Sequence, residues 1–206
     1  MFLRMAGLRE RKKEQTRQRI LAVASKLFAE RGFDAVTVNE IAEAAEVARA
    51  TLFTYFPNKE SLALQGVGED DPAGVVARRP PGQSPLQALR AHYRSFAAEQ
   101  MATMDRDEVI ARMRVIFDSP ALSGAANKLL YRQREELARV LAEEHEQLAA
   151  TLIAAQIAAT LLTLQESFFH LLADGASPKD AARALADHTE LAFDLLEHGI
   201  NQLKEK

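Results

Sequence analysis

Between Thr37 and Ser61 the chain sets helix starts and stops so close together that each helix has room for about two turns. Thr37-Val38-Asn39-Glu40 has the pattern of a capping box, in which the threonine hydroxyl accepts from the Glu40 amide and the Glu40 carboxylate reaches back. A helix over about 38–45 follows. Pro57 disfavours helical geometry at the residue before it, so a second short helix over about 49–56 stops there. Asn58 then caps another helix beginning at Lys59. Ile41 and Ala42 supply one packing face, Val47 plugs the turn, and Leu52 and Phe56 anchor the second helix. Two short helices crossing through small and branched residues make a helix-turn-helix.

A longer helix precedes them. Ile20, Leu21, Ala24, Leu27 and Phe28 lie on one apolar face, and Gly32 suits the left-handed position after its last turn. On the second short helix Arg49, Ala50, Thr51, Thr54 and Tyr55 are left facing solvent. They offer donors, hydroxyls, a methyl and a phenol, groups suited to base edges and phosphates in a major groove. Two residues depart from the usual chemistry of such a turn. Glu46 stands where glycine would accommodate a left-handed backbone, and Ala48 stands at a helix N-cap without a side-chain acceptor.

Charge agrees with a polyanion bound at one end. The net charge is −3, yet residues 1–64 carry +3, and residues 1–19 alone hold 7 basic against 2 acidic side chains. Arg9, Arg11, Lys12 and Lys13 form a basic arm. A solvated terminus is the plainer alternative.

Apolar residues make up 48% of the 206, with no Trp and no Cys. The fold class expected is all-α, and disulfides, thiolate zinc sites and a cysteine nucleophile are excluded. The domains expected are a head over 1–66, a Pro- and Gly-rich linker over 67–84 with at most one helical turn near Val75–Ala77, and a helical domain over 85–206. Ser84-Pro85, Ser119-Pro120 and Ser177-Pro178 each open a helix with a cap and a first-turn proline. The second of these helices is expected to break near Gly124, and the last to run to about Leu203. The apolar run Leu148–Leu164 falls just short of the roughly 20 residues a membrane span needs, so it is read as a buried helix in a cytoplasmic protein without membrane contact.

Residues 16–62, TRQRILAVASKLFAERGFDAVTVNEIAEAAEV followed by ATLFTYFPNKESL, resemble the N-terminal domain of the TetR family of transcriptional regulators. The resemblance implies a homodimeric repressor that binds a pseudo-palindromic DNA operator and is released by a small apolar effector. An activator, or a DNA-binding protein without an effector, remains the alternative. It implies phosphate contacts from Thr37, Tyr55 and Lys59, and a major-groove face of Arg49, Ala50, Thr51 and Thr54. Charge alone adds Arg11, Lys12 and Lys13. For Thr37 a cap, for Tyr55 packing and for Lys59 plain exposure are the competing roles.

The dimer face expected is Ile157, Leu161, Leu164 and Phe168 with Leu185, His188, Leu191 and Leu195. Candidate effector contacts are Tyr93, Phe96, Met101, Met113, Phe117, Tyr131 and Phe169, with core packing as the alternative for each. The segment ARRPPGQSPLQALR is also similar to regulators linked to mycofactocin clusters, which implies an acyl-CoA-like effector whose phosphates Arg78 and Arg79 would meet. No metal, no cofactor and no catalytic residue is expected. The five histidines lack HExxH spacing, and neither GxSxG nor a phosphate-binding glycine loop occurs.

Overall fold

The computed structural model describes residues 2–67, 70–100 and 104–199, with side chains from Glu10 onward apart from residues 98–100. These form α1 (Phe2–Arg31), α2 (Val38–Ala44), α3 (Arg49–Tyr55), α4 (Lys59–Ala63), α5 (Pro72–Ala77), α6 (Pro85–Gln100), α7 (Arg106–Asp118), α8 (Pro120–Leu141), α9 (Gln147–Ala173) and α10 (Pro178–His198). No strand occurs among the described residues. They belong to two compact units.

The first unit comprises residues 1–67 and 111–126. α1 packs on α2 and α4, and α2 on α3. Ile20, Ala24 and Phe28 of α1, Phe33 and Val36 of the following loop, Ile41 and Ala42 of α2, and Leu52 of α3 are buried. Gly32, with φ 78, ends α1 as the sequence predicts. α1 itself begins at Phe2, so the basic residues expected on an arm continue a 30-residue helix. The end of α7 and the start of α8 belong to this unit: Ile116 and Leu122 are buried there, and Ser119 Oγ lies 3.5 Å from Asp34 Oδ1. An expected boundary read from composition could not reveal this, because the divisions at 110/111 and 126/127 fall inside α7 and α8.

The second unit comprises residues 68–110 and 127–206, with α10 packed on α6 and α9, and α5 on α6. Its main core gathers Leu89, Leu137, Leu141, Ala150, Ala154, Ile157 and Phe193; a smaller cluster holds Ile110, Phe168, Leu172 and Ala181. The stretch expected as a linker is part of that core. Asp71 caps α5 by accepting from the Gly74 amide at 2.7 Å, Pro72 opens its first turn, and Ala73 and Val76 are buried. Its prolines and glycines punctuate a short helix instead of replacing it.

α8 runs unbroken through Gly124, which is exposed and has open space where a Cβ would stand. A lone glycine costs a helix about 1 kcal/mol, less than the burial of the adjacent Leu122 returns. α10 ends at His198, short of the expected Leu203, with Gly199 at φ 75. α9 is, by length and composition, long and apolar enough to cross a membrane, with a mean hydropathy of 1.6. One of its faces (Ala150, Ala154, Ile157, Leu164, Phe168, Leu172) is buried, while Leu148 and Leu152 on the other are exposed.

Candidate nucleic-acid interface

The capping box forms as predicted and fixes the start of α2. The Glu40 amide donates to Thr37 Oγ1 at 3.3 Å, while the Thr37 amide and hydroxyl donate to Glu40 Oε2 at 2.8 and 2.7 Å. Arg31 donates to Glu40 Oε1 at 2.8 Å. The Thr37 hydroxyl first, its amide next and Arg31 after them hold the Glu40 carboxyl down from 4.5 to about 2. Thr37 therefore works as a cap here, with both of its donors committed to Glu40.

The turn closes through Val47, whose amide donates to the Ala42 carbonyl at 2.9 Å. Glu46 sits at φ 53, the left-handed geometry expected of the position. Ala48 is the N-cap of α3 and makes no side-chain capping bond. Leu52 of α3 is buried, and Arg49, Ala50 and Thr54 are exposed with Thr51 and Tyr55 half-buried. Thr54 Oγ1 donates back to the Ala50 carbonyl at 3.0 Å. The Arg49 guanidinium stands 5.4 Å from the ring centroid of Phe53, which is 38% exposed. Sequence reasoning passed over Phe53, although its position four residues after Arg49 is a pairing signal on a helix.

Lys59 takes a different position from the one expected. Its ammonium donates to the carbonyls of Phe33 at 2.9 Å and Val36 at 3.0 Å and lies 4.0 Å from the Phe33 ring centroid. Two of its three donors are spent on carbonyls of the loop between α1 and α2, which no sequence pattern marks. Arg11, Lys12 and Lys13 are exposed along α1. Arg17, four residues after Lys13 on the same helix, donates a 2.7 Å bond to Gln65 Oε1.

The candidate effector residues are divided between the two units. Met101 lies outside the described residues. Met113 and Phe117 belong to the first unit; Tyr93, Phe96, Tyr131 and Phe169 belong to the second. Phe96, Phe117 and Tyr131 are exposed, Phe169 packs on the Ile110 cluster, and the Tyr93 hydroxyl donates to the Asp70 carboxylate. The second unit contains a cleft of about 310 Å³ lined by Pro85, Leu86, Leu141, Ile153, Ile157 and Leu196, with Ser84, His145 and Gln156 as its polar groups. None of the expected residues lines it, because residue type gives apolarity without direction. Arg78 pairs with Asp71, and Arg79 donates to the Val76 and Gln83 carbonyls and pairs with Glu144, so both arginines serve internal bonds.

The expected dimer stripe also divides. Ile157, Leu164 and Phe168 are buried within the chain itself, and Leu161 and Leu185 pack against the same clusters. His188, whose Nδ1 lies 3.1 Å from Ser167 Oγ, and Leu195 are half-buried, and Leu191 is 52% exposed. On α9 the exposed apolar positions are Leu148, Leu152, Ala159 and, at its last residue, Ala173. A helix with two apolar faces leaves the choice between them undetermined from the pattern alone.

Comparison with known proteins bears on this arrangement. Residues 20–65 match the model of the bacterial regulatory proteins of the tetR family, and residues 83–201 match that of the MftR C-terminal domain. The chain is 33% identical over 142 residues to the HTH-type transcriptional regulator TcmR of Streptomyces glaucescens, covering 66% of this chain and 63% of that protein. It is 29% identical over 209 residues to the putative mycofactocin biosynthesis transcriptional regulator MftR of Mycobacterium tuberculosis, covering 95% and 96%. Its fold is similar to that of Thermus thermophilus FadR, a TetR-family transcriptional repressor in complex with lauroyl-CoA, with a TM-score of 0.50, 26% identity and coverage of 92% and 97%. With a capped helix-turn-helix head matching one model and most of the remaining chain matching the other, this protein belongs to the TetR family of transcriptional regulators.

Proposed function

We propose that the protein is a homodimeric, ligand-responsive repressor of the cytoplasm that binds a pseudo-palindromic operator and is released by a small apolar effector. The outward face of α3 carries the reading. Arg49, Ala50 and Thr54 stand exposed on a helix whose opposite side is locked by Leu52 and whose entry is set by the Val47 turn. Arg49, steadied over Phe53, is the base-reading residue, and Thr51 and Tyr55 flank it. Arg11, Lys12 and Lys13 add sequence-independent attraction to phosphates.

Dimerisation uses the uncovered positions Leu148, Leu152 and Ala159 of α9 with His188, Leu191 and Leu195 of α10. This register replaces the one expected from sequence. Two-fold pairing of this kind is what a pseudo-palindromic operator mirrors. The lauroyl-CoA bound by the FadR relative supports an acyl-chain effector.

Fluorescence anisotropy on DNA from upstream of the gene tests the reading. Binding that prefers one site over scrambled DNA at physiological salt, and that weakens as lauroyl-CoA is added, is expected. Equal binding to scrambled DNA overturns operator recognition.

A further inference from the structure

In the second unit the carboxylate of Asp70 is gathered in by side chains from elsewhere in the fold. Its Oδ2 accepts from the Tyr93 hydroxyl, and its Oδ1 lies 3.2 Å from His92 Nε2 and accepts from the Asp71 amide at 3.1 Å. Gln133 of α8 donates to the Asp70 carbonyl. Burial, and then the charges of Asp70 and Asp71, push the Tyr93 phenol far above its ordinary value, so it remains a donor. The wall beside these donors is aromatic. Phe193 stacks on Tyr93 at 6.3 Å, and Phe96, 43% exposed, stacks on His92 at 6.5 Å.

Three properties of this cluster are those of a ligand site. The donors sit on the long helices α6 and α8, whereas Asp70 lies outside any helix and can leave without breaking one. Among the described residues no Lys or Arg pairs with the Asp70 carboxylate, so the donors suit one negative charge better than a phosphate. The aromatic wall offers a place for an apolar body next to the polar head.

We propose that Tyr93 and His92, with Gln133 behind them, form the head of a binding site for a small organic monocarboxylate, and that Asp70 is its internal stand-in. The proposal deepens the ligand-responsive reading above by specifying a free carboxylate on an apolar body in place of a CoA thioester, and rests on that reading for its biological use. A ligand carboxylate displaces Asp70 and frees the segment that leads into α5.

Calorimetric titration of the full chain with octanoate, octanol and inorganic phosphate tests it in wild type, Asp70→Ala and the double variant Asp70→Ala/Tyr93→Phe. Removing an internal competitor is expected to tighten octanoate binding by about tenfold or more in Asp70→Ala. The double variant loses that gain, octanol binds wild type and Asp70→Ala alike, and phosphate binds neither. A purely structural Asp70 predicts the opposite, a weakened chain with no tighter ligand. An unchanged octanoate affinity, or a gain shared by octanol, overturns the proposal.

Thermal melting covers the case of an unstable variant. Acetate is expected to raise the Tm of Asp70→Ala saturably, while chloride at equal ionic strength does not and the double variant fails to respond. Absence of that rise overturns the site as well. Operator release is read separately by anisotropy: tight octanoate binding without release supports the site and counts against ligand-controlled repression.

Discussion

Glu46 holds φ at 53, a geometry that costs a residue with a Cβ about 1–2 kcal/mol relative to glycine. Glu46→Gly is therefore expected to stabilise the head by about 1 kcal/mol, and Ala48→Ser to add a similar amount by capping α3. Both are read as slower hydrogen exchange of the α3 amides. Acid acts on the same unit through Glu40. Its carboxyl is held at about 2 against 4.5 unfolded, so its contribution is complete above about pH 4.5 and is lost as pH falls towards 2. Thr37→Ala is expected to shrink that acid dependence, because the residue 37 amide and Arg31 still hold the carboxylate, measured as exchange of the α2 amides between pH 5 and 2. Glu46, Ala48 and the Thr37 box were all legible in the sequence, because local turn and cap chemistry decides them. Lys59 was not, since its partners are carbonyls of a loop 23 and 26 residues away. Lys59→Ala is expected to destabilise the head by about 1.5–3 kcal/mol, whereas Arg49→Ala leaves stability unchanged and weakens operator binding by about 1–3 kcal/mol. Melting and anisotropy on the two variants separate these roles.

Among the elements, α9 carries the clearest double duty. Ile157→Ala on its inner face opens a cavity and is expected to cost about 2–5 kcal/mol in urea denaturation. Leu152→Glu on its outer face is expected to leave the single chain folded and to move the sedimenting species from dimer to monomer. A dimer that survives Leu152→Glu places the interface elsewhere. The existence of α9 was plain from its apolar run, but its orientation was not, because alanine-rich sequence offers close packing on both sides. A different force holds α6 to α10: Arg90 lies within 4 Å of carboxylate oxygens on Glu190, Asp194 and Glu197, at 3.7, 2.6 and 3.5 Å. Residues of one charge sign spaced along α10 become an anchor only once α6 is beside them, which no single segment reveals. α5 was read as no more than one turn near Val75–Ala77, short of its start at Pro72, for a related reason. Its six residues are held by Ala73 and Val76 in the core, and a helix so short has no periodicity to read.

At the scale of the molecule, helix order, the fold class and the head were legible from residue spacing, because most helices open on a capping side chain or a first-turn proline. The partition of the chain was not, because it depends on which buried side chains meet. Residues 111–126 belong with α1–α4, although α7 and α8, which contribute them, also extend into the other unit. The polypeptide consequently crosses from one unit to the other three times, at residues 67/68, 110/111 and 126/127. That makes the head a poor cassette for grafting. A fragment ending at residue 67 lacks Ile116, Ser119 and Leu122, all buried in the complete chain, and is expected to melt below the head of the intact protein in calorimetry. Chimeras that exchange operator specificity must carry the 111–126 segment along with the recognition helix, as one inherited part written in two places.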